Sequence, residues 1–207
     1  MNGKTDFTIK PGFLDAERPI IAELYWQAFG AKLNSVLGPT LLAHSFLIDV
    51  LDPKFGLVAR DTGGRILGVA GYKTNEGALV GGGVSDMTRH YGFLGTLWRV
   101  PLLLVLEREV EEGLLLMDGI CVTEAARGRG IGSALLEAIK SHATDMKLDA
   151  VRLDVIDSNP RARALYQREG FVEEGDTNMG PLQSVFGFRS AKRMVWHRPT
   201  QCRNAAN

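Results

Sequence analysis

The chain is poor in cysteine, with two residues in 207: Cys121 inside an apolar run and Cys202 in the polar tail TQCRNAAN. Two thiols so placed make no disulfide framework, and a reducing cytoplasm is the expected compartment. Net charge is also absent. Lys plus Arg and Asp plus Glu number 24 each, so no global field draws the protein to nucleic acid or to an anionic membrane. No hydrophobic run is long enough for a bilayer. The most apolar stretch, FLGTLWRVPLLLVL from Phe93 to Leu106, is too short and carries Arg99 and Pro101. It reads as a buried or half-buried helix. The N-terminal MNGKTDFTIKPG lacks the apolar centre of a signal peptide. Repeats, low-complexity segments and an obvious interdomain linker are all missing, as is any base-reading motif or basic stripe. No metal site is expected.

What remains is an ordinary globular composition, 45% apolar and 23% charged. A chain of this length buries a core without staples. The expectation is one domain over 1–207, with a helical insertion at about 75–112 and a flexible tail from about 199. FTIK (7–10) suits a short strand. Helical spacing marks Leu14 to Phe29 and about 39–50. GLVARDTGGRILGVAGYKT reads as a hairpin turning at Asp61-Thr62-Gly63-Gly64. About 86–111 reads as a helix broken near Pro101 and ending in the acidic cluster Glu107, Glu109, Glu111 and Glu112. GLLLMDGICV suits a central buried strand, 131–146 a helix, and AVRLDVI (150–156) another strand. SNPRARALYQREGF is a short helix with Asn159 to cap it, Pro160 in its first turn and Gly170 to end it. Strands at about 171–176 and 190–197 finish the chain. This order predicts a mixed α/β layer fold with one parallel crossover in its middle.

RGRGIGSALL, Arg127 to Leu136, joins the central strand to the helix that follows. Helix N-termini carry unsatisfied N–H groups and the positive end of the dipole, glycines let phosphate oxygens approach the backbone, and arginines add charge-assisted bonds. The loop therefore suits phosphates. A P-loop requires a Gly-Lys-Ser/Thr that is missing here. The dinucleotide fingerprint fits Gly128 and Gly130 but meets Ser133 at its third glycine, and Asp154 lies mid-strand rather than at a strand end. A third pattern, Arg/Gln-x-x-Gly-x-Gly/Ala, is satisfied by Arg127, Gly130 and Gly132.

In this loop, and again in the Asn159, Ala162, Leu165-Tyr166 and Gly170-Phe171 of the next signature, the chain resembles the GCN5-related N-acetyltransferase (GNAT) family. The likeness is close over about 114–175 and topological elsewhere. It implies a GNAT-type α/β fold: a mixed, mostly antiparallel twisted sheet with a central splayed parallel strand pair and helices on both faces. It implies acetyl-CoA as cosubstrate. The pyrophosphate would be bound by backbone N–H groups across Arg127, Gly128, Arg129, Gly130, Ile131, Gly132 and Ser133. The pantetheine arm would pair like an extra strand with Ile120, Cys121 and Val122, beside Asn159 and Ala162. Asn159 has two compatible readings, helix cap and contact to that arm. Cys121 is then a packed strand residue rather than a nucleophile, since no histidine is evident to activate it.

The implied reaction is direct attack of an amine on the thioester, with the Val122 N–H polarising the carbonyl and Tyr166 as acid to the departing thiolate. The base is less marked. The family's frequent Glu position is Leu116 here, a departure, and Asp118 is the best remaining carboxylate. By period two, Leu116, Asp118, Ile120 and Val122 are expected on one face. Proton loss through water is the alternative, and Glu124, His44 and His90 are weaker candidates. The acceptor would be a small-molecule or peptide amine, shaped by the insertion and by MGPLQSVFGFRSAKR (179–193), where Phe186, Phe188 and Trp98 are candidates for pocket lining or core. The acidic cluster suits a solvated helix end, or attraction for a cationic amine. No nucleic-acid or membrane partner is expected. A homodimer through the apolar insertion would fit, as would the rival function, a non-catalytic acyl-CoA-binding or regulatory module.

Overall fold

A computed structural model of the protein describes residues 6–199. Cys202 and all but the start of the expected tail lie outside the described residues. The centre is an eight-stranded sheet in which β1 (Phe7–Pro11), β2 (Gly56–Asp61), β3 (Ile66–Thr74), β5 (Leu114–Val122), β6 (Ala150–Ile156), β8 (Ser190–His197) and β7 (Val172–Asn178) follow in that spatial order, and β4 (Gly77–Ala78) pairs with β3. All pairings are antiparallel except β5 with β6. This is the mixed sheet expected. The hairpin between β2 and β3 turns where its chemistry places it: the Asp61 carboxylate accepts from the N–H groups of Gly63 and Arg65, each at 2.9 Å.

α1 (Arg18–Leu37) and α2 (Thr40–Val50) pack together on one face, and α4 (Ile131–Asp145) covers the other. The faces are distinguished by what two strand glycines meet. A Cβ on Gly119 would strike Phe29 of α1, and one on Gly68 would touch Leu135 of α4. Ile131, Leu135, Leu136 and Ile139 of α4 are fully buried against the sheet, at the positions the 3.6-residue period marks. A second, smaller core joins Val36 to Met179, Phe186, Phe188 and Ala191, so that the short α6 (Gln183–Phe186) is bolted onto the end of α1.

Several boundaries differ from the sequence expectation. α1 runs eight residues beyond Phe29, through Gly30, which lies under the Trp26 ring. α3 (Val84–Leu106) is kinked at Gly92 (φ 68°, ψ 172°), not at Pro101. Pro101 is exposed, so the carbonyl it leaves without a donor meets water. α3 is also less buried than its composition suggests. Phe93, Leu94, Leu97, Trp98, Leu104 and Val105 all face solvent. Trp98 lines neither of the two cavities described below; its ring packs on the Arg99 guanidinium. Phe186 and Phe188 are core residues.

The acidic segment after Leu106 is extended rather than helical. It is tied down by ion pairs, Glu107 with Lys73 and Glu111 with both Arg152 and Arg193, while the neighbouring Arg108 pairs with Asp154 of β6. These pairs fasten the end of the insertion across the sheet and leave no open acidic patch at Glu107 or Glu111.

The two classes of aromatic should respond differently to truncation. Phe186→Ala is expected to cost about 3–5 kcal/mol in urea denaturation, whereas Phe93→Ser should change stability by no more than about 0.5 kcal/mol.

Candidate active site

β3 and β5 pair with one register through Gly71↔Gly119 and with another from Tyr72↔Met117. Asp118 is the extra residue, a β-bulge. It breaks the alternation that places Leu116, Asp118, Ile120 and Val122 on one face. Asp118 instead shares the α1 side with Gly119, beside Tyr25 and Lys32 of α1, while Val122 sits beside Leu135 on the α4 side. Bulges bend the strand and increase its twist. The consequence lies on the other edge of β5, where the parallel ladder to β6 covers only Leu114, Leu115 and Leu116. From Met117 onward the two strands diverge, and β6 gives its full length to β8.

The open edge can be assigned by hydrogen-bond parity. The Thr123 N–H donates to the Leu67 carbonyl at 2.9 Å, which makes that opposed pair hydrogen-bonded. Alternation then directs the backbone of Cys121 at Val69 of β3 and leaves the N–H and C=O groups of Ile120 and Val122 pointing into the divergence. Of the three strand residues expected along a ligand, Ile120 and Val122 turn their backbone groups toward the open edge, and Cys121 turns its groups toward β3. The Cys121 side chain is buried, which raises its thiol pKa well above the ordinary value and leaves it a packed residue.

A groove of about 840 Å³ runs along this edge. Its floor is Ile120 to Val122, one end is the glycine loop, and one wall is α5 (Pro160–Arg168). Gly128 (φ 76°) and Gly130 (φ 79°) hold the left-handed conformation that turns the loop into α4, with open space where a Cβ would stand. Gly132 and Ser133 occupy the first turn, and the buried Ile131 side chain anchors it. Arg127 and Arg129 are exposed at the mouth, and Arg127 Nε donates to the Val122 carbonyl at 3.3 Å. On α5, the Asn159 carbonyl oxygen accepts from the Ala162 N–H at 3.1 Å, the cap read from sequence, and its amide NH₂ remains for the groove. Tyr166 lies one turn on from Ala162. Its ring is buried, and its hydroxyl has no hydrogen-bond partner among the described residues. Burial, helped by the proximity of Cys121, raises the phenol pKa far above its ordinary value.

A second cavity of about 470 Å³ lies on the other side of Gly119 and Phe29. α1, α2, α3 and the β4 segment form its walls, and Asp118 stands in it. Burial raises the Asp118 carboxyl pKa, against the pull of Lys32, Arg108 and Lys73 and of the Val80 N–H. Lys32 faces the same space. Its Nζ is 4.9 Å from the Phe29 ring centre and has no carboxylate within 4.0 Å among the described residues. Burial, with Arg108 nearby, lowers its pKa to about 8. Lys32 escapes a sequence reading that ends the first helix at Phe29; it sits at i+7 from Tyr25 on the sheet-facing stripe, which was the available signal. The weaker base candidates fall elsewhere. His44 pairs with Glu23 and His90 with Asp49, and neither lines a cavity; nor does Glu124.

Comparison with known proteins places the fold among N-acetyltransferases. A GCN5-related N-acetyltransferase from Kribbella flavida superposes with TM-score 0.62 at 19% identity, covering 93% of this chain and 98% of that one. Ribosomal-protein-alanine N-acetyltransferase from Brucella melitensis superposes with TM-score 0.61 at 20% identity, covering 92% and 99%. A mycothiol acetyltransferase from Paenarthrobacter aurescens (strain TC1) is 47% identical over 62 residues, which is 30% of this chain and only 19% of that relative. Residues 19–171 match the Acetyltransferase (GNAT) family. The chain belongs to that family.

The α5 cap is separable from any ligand role. Asn159→Ala should destabilise the protein by about 1 kcal/mol, and Asn159→Asp should restore most of it, because aspartate caps as well as asparagine. Equal loss in both variants by chemical denaturation would contradict the cap.

Proposed function

We propose that the protein transfers the acetyl group of acetyl-CoA to the amine of a small-molecule acceptor within a ternary complex. The observation that carries this reading is the unpaired edge of β5 at Ile120 and Val122, lying between a left-handed glycine loop and an unpartnered tyrosine hydroxyl. When bound, acetyl-CoA supplies the activated acetyl group and a thiol leaving group. The N–H groups of the loop from Arg127 to Ser133 hold the pyrophosphate, at the positive end of α4 and with Arg127 and Arg129 at the mouth. Ile120 and Val122 supply strand-like hydrogen bonds to the pantetheine arm, and the Val122 N–H polarises the acetyl carbonyl. A small-molecule acceptor enters from the cavity lined by α1 and α3. Bringing amine and thioester together supplies the proximity term, and it requires the Phe29 ring, which closes on Gly119, to move aside. A reducing cytoplasm is the proposed compartment, on the composition.

Proton handling follows from the two displaced pKa values. Burial keeps Tyr166 protonated through neutral pH and also makes it a weaker acid than the thiol, so it serves the departing sulfur as a hydrogen-bond donor, and a proton given to the sulfur is replaced by the one the amine loses. The raised carboxyl pKa makes Asp118 a stronger proton acceptor than an exposed aspartate, matched to taking a proton from an ammonium. Because Asp118 must be ionised to act, kcat/KM for the acceptor should fall as pH is lowered through its raised pKa. The midpoint should lie above the usual carboxylate range. Asp118→Asn should remove that acid limb and lower the plateau.

The direct test is thiol release with purified protein. Tyr166→Phe is expected to lose about 100-fold or more in kcat, the scale of general-acid catalysis, while acetyl-CoA binding by calorimetry is retained. Unchanged turnover would remove the acid role. Acetyl-CoA binding with no thiol release across a broad amine panel would favour an acyl-CoA-binding or regulatory module. Thermal stabilisation by NADH alone would overturn the acetyl-CoA assignment.

A further inference from the structure

The 470 Å³ cavity beside Gly119 has a charge pattern that an ordinary amine does not complement. Its walls are largely apolar, with Leu33, Leu37, Phe46, Leu47, Met87 and Leu103 among them. Five charged side chains line it. Lys73 is paired with Glu107 and Arg108 with Asp154. That leaves the Lys32 ammonium on α1 and the Asp118 carboxylate on the bulge. Neither has an ion-pair partner within 4.0 Å among the described residues, and they do not bridge each other. Both are half-buried in the cavity, where a charge without a direct ion-pair partner has lost part of its hydration and gains from a ligand that completes it.

We infer that the acceptor is a free amino acid with an apolar side chain, its amine held at Asp118 and its carboxylate at Lys32. The identity of the reacting end rests on the acetyl transfer proposed above; the recognition of the other end rests on the cavity alone. A simple amine would satisfy Asp118 but leave Lys32 without an anion and opposed to a second cation. A polyamine would add further repulsion. A carboxylate beside the amine neutralises Lys32 by a charge-assisted bond, and the leucine-, phenylalanine- and methionine-lined walls take the side chain. Lys32 is thus a specificity-determining residue. Its position, one turn beyond Phe29, puts its ammonium near the ring that separates this cavity from the groove.

The test uses calorimetric titration of the full chain saturated with unacetylated CoA, so that binding is read without turnover. The probes are leucine and phenylalanine, their decarboxylated counterparts isoamylamine and phenethylamine, and phenylalaninamide. The wild type should bind the two amino acids about 10–100-fold more tightly than the matched amines, the range that a hydrogen bond between charged groups supplies. Lys32→Gln should erase that preference by weakening the acids and leaving the amines unchanged or tighter. Lys32→Arg should keep most of it and guards against a variant that fails to fold. The inference is overturned if the amines or the amide bind as well as the acids, if Lys32→Gln weakens both classes equally, or if no amino acid binds. Thiol release measured in parallel separates the two levels. Lys32-dependent amino-acid binding without thiol release keeps this inference and removes acetyl transfer. Thiol release with amines or peptide N-termini but not with amino acids does the reverse.

Discussion

An extra residue in β5 organises the molecule around it. At Asp118 the pairing with β3 slips by one, and past that point the partnership with β6 ends. One edge of a central strand is thereby left without a neighbour. Unpaired N–H and C=O groups inside a protein are expensive, and the divergence gives the N–H groups of Ile120 and Val122 and the Ile120 carbonyl a groove instead of a strand, while Arg127 Nε donates to the Val122 carbonyl. The same slip turns Asp118 toward α1 and into the second cavity. A single irregularity thus builds the docking edge on one side of Gly119 and places a carboxylate on the other. The contact that holds the arrangement is Phe29 against Gly119, which is so close that a Cβ at residue 119 would lie 2.3 Å from the ring.

α1 serves both spaces. Leu24, Gln27, Ala28 and Phe29 border the groove, and Tyr25, Lys32, Leu33 and Leu37 border the cavity. The helix is held at its far end by the small core around Phe186, so α6 supports the site without lining it. The ion pairs of Glu107, Arg108 and Glu111 fix the return of the insertion onto the sheet. They use most of the charges near the cavity and leave Lys32 and Asp118 without a direct ion-pair partner among the described residues.

The donor half of the site was legible in the sequence because its requirements are local. Left-handed turns at Gly128 and Gly130, the Asn159 cap and the spacing to Tyr166 depend on neighbouring residues in the chain, and all appear where the motifs place them. The succession of elements along the chain and the parallel crossover followed from their alternation in the sequence. The bulge was not legible from period two, because it depends on the slip against Gly71 and Tyr72 of β3, which are distant in sequence; a glycine beside an aspartate inside an apolar strand was its only mark. Lys32 lies beyond the helical spacing that the sequence marks from Leu14 to Phe29. The exposure of α3 escaped for a related reason. Its apolar residues recur on both faces, and periodicity does not say which face a kinked helix turns to the core.

On the proposed reading, the open edge of β5 receives a ligand with strand-like hydrogen bonding. Residue-resolved amide hydrogen exchange by NMR, with and without acetyl-CoA, tests it most directly. The Cys121 amide, bonded to β3, should be protected in both states. The Ile120 and Val122 amides should exchange faster in the free protein and become protected when acetyl-CoA binds. Bound acetyl-CoA with no change at Ile120 and Val122, or strong protection of both amides in the free protein, would contradict the account.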